Sequence, residues 1–232
     1  MDVRRLLPDQ RTVEAEHALD DLQLGDLAPP DRPYVVANMV ASADGRSTVE
    51  GRSAPLSGPA DRALFHALRR QVDGVLAGTA TLRTERYRRL IRNPDHREDR
   101  RRRGLEPDPV AVVLSRSGDL PGDIEMLTDP EQPRAIFVGQ DADPTEAFRR
   151  LRSEHGVRSL LCEGGAVLLG ALLRAGLVDE LFLCLAPMLA GGEGQVTVAG
   201  PAFRPPITLE LHHVLEHEDV LFMRYRIGMG RG

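Results

Sequence analysis

The sequence predicts a mixed α/β fold: a mainly parallel central sheet, flanked by helices and finished by a C-terminal antiparallel hairpin. Three observations predict it. From Tyr34 onward, short apolar runs of strand length alternate with stretches of helical periodicity. Residues 159–187 read as a βαβ unit with Glu163-Gly164-Gly165 at its turn. The last two apolar runs, 207–216 and 220–227, flank a polar His217-Glu218-Asp219 turn, which is hairpin patterning.

The elements follow in order. Residues 1–33 are expected to be a lead-in, and 34–232 one domain. Within the lead-in, the polar, weakly periodic stretch from Val13 to Leu24 ends at Pro29-Pro30 and fits either a short helix laid over the domain or a frayed tail. Tyr34-Val35-Val36-Ala37 opens a strand that runs toward Ser42 and breaks at Asp44-Gly45. Ser57-Gly58-Pro59 supplies an N-cap with proline in the first turn, so a helix follows over 60–72 with Leu64, Leu68 and Val72 on one face. Buried strands are expected at 75–77, 110–114 and 135–138, and a helix over 144–154. Residues 83–103 hold ten arginines against four acids, a composition expected of a solvated, mobile loop. The stretch 166–175 is apolar nearly all round, which predicts a helix covered on most sides, with Gly176 closing it.

Composition narrows the chemistry. The chain has 232 residues and a net charge of −5, which fits one large α/β domain or two small ones and gives no general reason to bind nucleic acid. All 30 basic residues are arginine. Without lysine there is no Schiff-base chemistry and no Walker-type phosphate loop. Aromatic residues are 4% and tryptophan is absent, thin for a platform that stacks bases. The two cysteines, Cys162 and Cys184, form no CxxC pair, and the histidines show no ligand spacing, so no metal site is expected. No cationic leader precedes an apolar run and no stretch has the length of a membrane span, so the expectation is a cytoplasmic protein with no membrane partner.

Three turns follow apolar strands: Gly78-Thr79, Ser115-Arg116-Ser117 and Glu163-Gly164-Gly165. Strand C-terminal ends are where α/β sheets bind ligands. Free peptide N–H groups and glycine suit a diphosphate at the third turn, although it is not the GxGxxG fingerprint; a tight turn that binds nothing is the alternative. An arginine between hydroxyls suits a phosphate monoester such as the 2′-phosphate of NADPH. The acids Asp44, Glu85 and Glu163 sit just beyond strands or at helix starts, where a carboxylate can orient a polar heterocycle, handle a proton, or simply cap a helix.

Tyr34-Val-Val-Ala-Asn-Met-Val-Ala-Ser-Ala-Asp-Gly45, Gly51-Arg-Ser53, Leu56-Ser-Gly-Pro59, His66-Ala-Leu-Arg69, Val75-Leu-Ala-Gly78, Glu163-Gly-Gly165 and Gly191-Gly192 together resemble the pyrimidine reductase family. That family includes the reductase domain of bifunctional riboflavin-biosynthesis deaminase–reductases and shares the dihydrofolate-reductase-like fold. The resemblance spans roughly residues 33 to 227. It implies an NADPH-dependent oxidoreductase over 34–232 that reduces the ribosyl chain of 5-amino-6-(5-phosphoribosylamino)uracil, or of a related pyrimidine, to the ribitylamino form. Position by position, it implies that Ser53, Arg69 and Arg92 hold the substrate phosphate and that Glu163 and Asp44 contact the substrate. Glu85 and Asn38 take the catalytic positions. The cofactor surface implied is Val40, Gly45, Ser57, Gly78, Thr79 and Thr81, with Ser115 and Arg116 at the adenosine phosphate. Gly164, Gly165, Ala166, Val167, Leu168 and Leu169 wrap the pyrophosphate. By the same analogy a homodimer is expected, paired through edge strands near the C terminus.

Two positions depart from the family's pattern. Asn38 stands where the bifunctional enzymes carry a lysine, and Glu85-Arg86-Tyr87 where they carry Asp-Asp-Pro. The zinc deaminase half is missing. Two rival readings keep the cofactor: a reductase of dihydrofolate or another pterin, and a non-catalytic NADPH-binding protein.

Overall fold

The computed structural model describes residues 1–228 and divides them into two compact units. One comprises residues 1–20, 36–67 and 166 onward; the other comprises 21–35 and 68–165.

The first unit is mainly antiparallel. Its strands are β1 (Asp2–Leu7), β2 (Arg11–Glu14), β3 (Tyr34–Ser42, from Val36 on), β8 (Glu180–Ala186), β9 (Thr208–His217) and β10 (Val220–Gly228). They are ordered β2-β1-β9-β10-β8-β3. Only β3 and β8 run parallel, with Asn38 opposite Phe182 and Val40 opposite Cys184. The C-terminal hairpin forms as expected, with Val220 paired to His217 and positive φ at Glu218 and Asp219 in the turn.

The lead-in is more structured than expected: residues 2–14 form a β-hairpin, and β1 pairs with β9. The stretch from Val13 to Leu24 is not one helix: it ends β2 and passes through turns to a single 3-10 turn at Leu24–Leu27. Val3 and Arg5 face inward while their neighbours face out, and Asp9 neutralises the buried Arg5 through an ion pair. This hairpin also removes β9 from the sheet edge, so the strands near the C terminus are interior and β2 is the edge.

Helix α1 (Pro59–Arg69) starts at the expected Ser-Gly-Pro and buries Ala60, Leu64 and Leu68. In the second unit β4 (Gly74–Leu76), β5 (Val110–Ser115), β6 (Arg134–Val138) and β7 (Ser159–Cys162) form an all-parallel array ordered β7-β4-β5-β6. Every residue of β4 and β7 is buried, as parallel strands covered on both faces require. The helices of this unit are α2 (Thr79–Glu85), α3 (Pro94–Arg102), the short α4 (Glu125–Thr128) and α5 (Pro144–Glu154). Asp143 caps α5, accepting from the Thr145 and Glu146 amides, and Pro144 fills the first helical position.

The arginine-rich stretch is also corrected: it is not a mobile loop. Asp108 accepts from both Arg89 and Arg97, and Gln132 joins Leu90 N–H to the carbonyl of Pro109. Arg100 is fully buried. Its Nη1 donates to the carbonyls of Arg69 and Val72, and its Nε to that of Glu106, at 2.8 Å each. It thus satisfies carbonyls that the end of α1 leaves open, and burial lowers its pKa to about 10.

Helix α6 (Ala166–Arg174) returns to the first unit. Ala166, Leu169, Gly170 and Leu172 are buried, but Val167 is 65% exposed, so the helix is covered on one side rather than on most. Gly170 explains the close cover there: a Cβ on it would lie 2.0 Å from the Ala199 carbonyl oxygen. Gly170→Ala is therefore expected to force backbone apart and cost about 1–3 kcal/mol, more than offsetting the roughly 1 kcal/mol gained from helix propensity. Chemical denaturation would check it; an unchanged midpoint would contradict the contact.

Candidate functional site

In the second unit three strand ends bring backbone turns to one edge. Strands β7, β4 and β5 are neighbours and parallel, so their C-terminal ends coincide. Gly78 follows β4 and caps α2, and its N–H donates to the Gly164 carbonyl at 2.7 Å. Gly164 has φ +84°, which favours glycine, and is joined to Gly165 by a cis peptide. A Cβ on Gly165 would meet Thr81 Oγ1 at 3.0 Å. Thr79 and Thr81 are half-buried on α2. At the end of β5 the buried Ser115 accepts from the Gly118 amide, and Ser117 accepts from Asp119 N–H. Arg116, between these two hydroxyls, is exposed. The corner thus combines glycine backbone, hydroxyls and an outward guanidinium, a donor set fitted to a nucleotide diphosphate with a further phosphate.

Beside this corner Glu163 and Arg69 come together. Arg69 Nε and Nη2 donate to the two carboxylate oxygens at 2.7 and 2.8 Å, a bidentate pair with the Glu163 side chain 1% and the Arg69 side chain 9% exposed. The guanidinium lies 5.2 Å from the ring centroid of Tyr87, and the phenol feels the charges of both Arg69 and Glu163. Burial and the negative Glu163 push the phenol well above its usual pKa, so it stays protonated. Sequence reading singled out Arg69 and Glu163 separately and missed Tyr87, whose signal was its place in the Glu85-Arg86-Tyr87 departure. Glu85 is half-buried at the end of α2, and its charge is felt at the Tyr87 phenol. Arg92 is exposed and has no partner among the described residues.

The first unit holds the remaining positions. Asn38 and Val40 are the two half-exposed residues of β3. Asp44 accepts from Ser42 Oγ and from the amides of Ala190 and Gly191, at 3.0 and 2.8 Å for the amides. Together these hydrogen bonds, Ser42's foremost, hold its pKa down to about 2. Its carboxylate therefore fastens the Gly191-Gly192 turn. Gly45 has φ +81° in the same corner. Ser53 precedes a single 3-10 turn, and Ser57 donates to Asp61 at 2.5 Å. Asp61, on the first turn of α1, has its pKa raised by burial, which the Ser57 hydroxyl opposes. Both cysteines are free and buried, and burial raises Cys162 to about 12, so neither is a nucleophile at neutral pH.

Residues 33–221 match the model of the RibD C-terminal domain. The chain belongs to that family. A 2,5-diamino-6-ribosylamino-4(3H)-pyrimidinone 5′-phosphate reductase from Methanothermobacter thermautotrophicus is 31% identical over 188 residues, covering 72% of this chain and 83% of the relative. Among solved structures, a pyrimidine reductase-like protein from Corynebacterium diphtheriae superposes with a TM-score of 0.74 at 21% identity, covering 94% of this chain and 100% of that one. Dihydrofolate reductase from Enterococcus faecalis, complexed with NADP(H), superposes with a TM-score of 0.50 at 16% identity, covering 84% of this chain and 96% of that one. The RibD-domain chain thus has the dihydrofolate-reductase-like, mixed α/β fold expected of it. No helix among its described residues is long and apolar enough to cross a membrane.

Proposed function

We propose that this RibD-domain chain is an NADPH-dependent reductase of a 6-ribosylaminopyrimidine 5′-phosphate, producing the ribitylamino form. The observation that carries the reading is the corner at the ends of β7, β4 and β5, within a family whose relatives are named as reductases of such phosphates. Neither a pterin substrate nor a purely binding role is favoured by those relatives.

The residues present fit the cofactor. Glycine at 164 and 165, with φ +84° at Gly164, lets a pyrophosphate approach the backbone closely, and Ala166 to Leu169 follow it in sequence. Arg116 with Ser115 takes the 2′-phosphate that distinguishes NADPH. Bound there, the cofactor supplies the hydride that C1′ of the opened ribose chain receives, while one proton goes to the attached nitrogen. The chain's own part is placement and charge. Arg69 and Arg92 take the substrate phosphate, and Arg69 then exchanges its Glu163 partner for a phosphate of the same bidentate geometry. Glu163, once released, accepts from the substrate. Glu85 relays the proton, and Asn38 contributes an amide where the family's lysine would bring a charge. Asp44 contributes by holding the Gly191-Gly192 turn. A homodimer and a cytoplasmic setting complete the reading; the dimer is supported by Leu209 and Leu211, both exposed on β9.

The test follows NADPH absorbance with the phosphoribosylaminopyrimidine and with dihydrofolate in parallel. Turnover of the former is expected. Consumption of dihydrofolate alone would favour the pterin reading, and cofactor binding without any oxidation the non-catalytic one. Glu85→Gln is expected to lower kcat about 10²-fold or more with NADPH affinity nearly intact; full activity would remove Glu85 from the proton path.

A further inference from the structure

Tyr87 has no place in the reading above, although it belongs to the same compact unit as Arg69 and Glu163. Arg86, at φ +52°, closes α2, and the chain after it is pinned to the β5–β6 connection. Arg86 pairs with Asp123, the Tyr87 carbonyl accepts from Met126 N–H, and the Arg89 N–H donates to the Glu125 carboxylate. A backbone fastened on both sides of Tyr87 delivers its ring to a fixed place.

What the ring meets there is Arg69. The guanidinium carbon lies 5.2 Å from the ring centroid, inside the roughly 6 Å over which an aromatic face attracts a cation. The Arg69 side chain is only 9% exposed, so water screens that attraction little. Its backbone is fixed as well, the carbonyl accepting from Arg100 Nη1. Glu163 takes Nε and Nη2 along one edge of the guanidinium, whereas the ring face needs neither N–H group. A substrate phosphate treats the two contacts differently. It displaces the carboxylate, because both use the same two donors, and it leaves the ring in place. The phenol stays protonated, so a neutral ring faces the cation before and after the exchange.

We propose that Tyr87 is the positioning residue for Arg69, its ring holding the guanidinium in place while the bidentate partner changes from Glu163 to the substrate phosphate. This inference rests on the reductase reading and deepens it. The aromatic face acts, and the hydroxyl is dispensable. Without the ring, a guanidinium released by Glu163 regains rotamer freedom, and the incoming phosphate has to order it again. That cost falls on substrate binding and leaves the hydride step alone. Tyr87 lies within the Glu85-Arg86-Tyr87 stretch that departs from the family's pattern, so the device belongs to this chain.

The experiment compares wild type, Tyr87→Phe and Tyr87→Met on the ribosylaminopyrimidine 5′-phosphate and on the same compound without its phosphate. Methionine keeps apolar bulk and removes the face. Tyr87→Met is expected to raise KM for the phosphate about tenfold or more, the worth of a desolvated cation–π contact, with kcat changed less than about threefold. Tyr87→Phe keeps the face and is expected to stay within about threefold of the wild-type KM. On the dephosphorylated compound Tyr87→Met is expected to match the wild-type kcat/KM, which a residue that only supports the fold would not do. Equal losses on both compounds, or a Tyr87→Phe as impaired as Tyr87→Met, overturn the assignment and leave the reductase reading intact. A wild type that oxidises NADPH with neither compound overturns both. If Tyr87→Met does not fold, mono-, di- and trifluorinated phenylalanines at position 87 keep the ring's shape and drain charge from its face. KM for the phosphate is expected to climb with each fluorine; a flat series overturns the assignment.

Discussion

Replacing Arg69 by leucine is expected to lower the unfolding free energy by about 3–5 kcal/mol, because it leaves a buried carboxylate without its cation. Glu163 exposes 1% of its side chain, and its two oxygens accept from the two nitrogens of one guanidinium. Water cannot take over that role at such a depth, and the Tyr87 hydroxyl can offer only one proton. The double variant Arg69→Leu with Glu163→Leu is expected to recover much of the loss, since two charges no longer need to be taken out of water. Urea denaturation of the two single variants and the double one gives the coupling directly. Additive losses would mean that the pair is not a unit. The same double variant is expected to be inactive, because under the proposed function both residues are reassigned to the substrate when it binds.

The second large effect lies inside the arginine-rich stretch and separates one residue from its neighbours. Arg100→Met is expected to cost about 3 kcal/mol or more, since the carbonyls of Arg69, Val72 and Glu106 lose their donor together and each buried, unpaired carbonyl costs about 1–3 kcal/mol. Arg101→Met and Arg102→Met remove exposed charges and should move stability by no more than about 0.5 kcal/mol. Thermal melts of the three variants check the contrast. Equal, small shifts would mean that Arg100 is not holding the end of α1.

The strands and helices were legible where local chemistry agreed with the fold. The strand from Tyr34 to Ser42, the capped helix from Pro144 and the final hairpin carry their own start and stop signals. The N-terminal hairpin was not legible: Arg5 is an inward-facing residue of β1, and only Asp9 and a strand at the far end of the chain make that position tolerable. Arginine 100 looked like its neighbours for a similar reason. Its acceptors are main-chain carbonyls, which leave no trace in a composition.

The candidate site divides the same way. Its backbone turns were readable from glycine and hydroxyl residues after apolar runs, because those residue types are what a turn at a strand end requires. The joining of Arg69 to Glu163 and Tyr87 was not, because a side-chain pairing between distant segments has no periodicity.

The pairing of β1 with β9 has a consequence for synthesis on the ribosome. Arg4 meets Glu216 across 212 positions, so at about 5–20 residues per second the first strand waits some 10–40 s for its partner to be translated. Through that interval an apolar, arginine-bearing ribbon is held only by its own hairpin. A nascent chain stalled before residue 208 is therefore expected to be the species most in need of a chaperone.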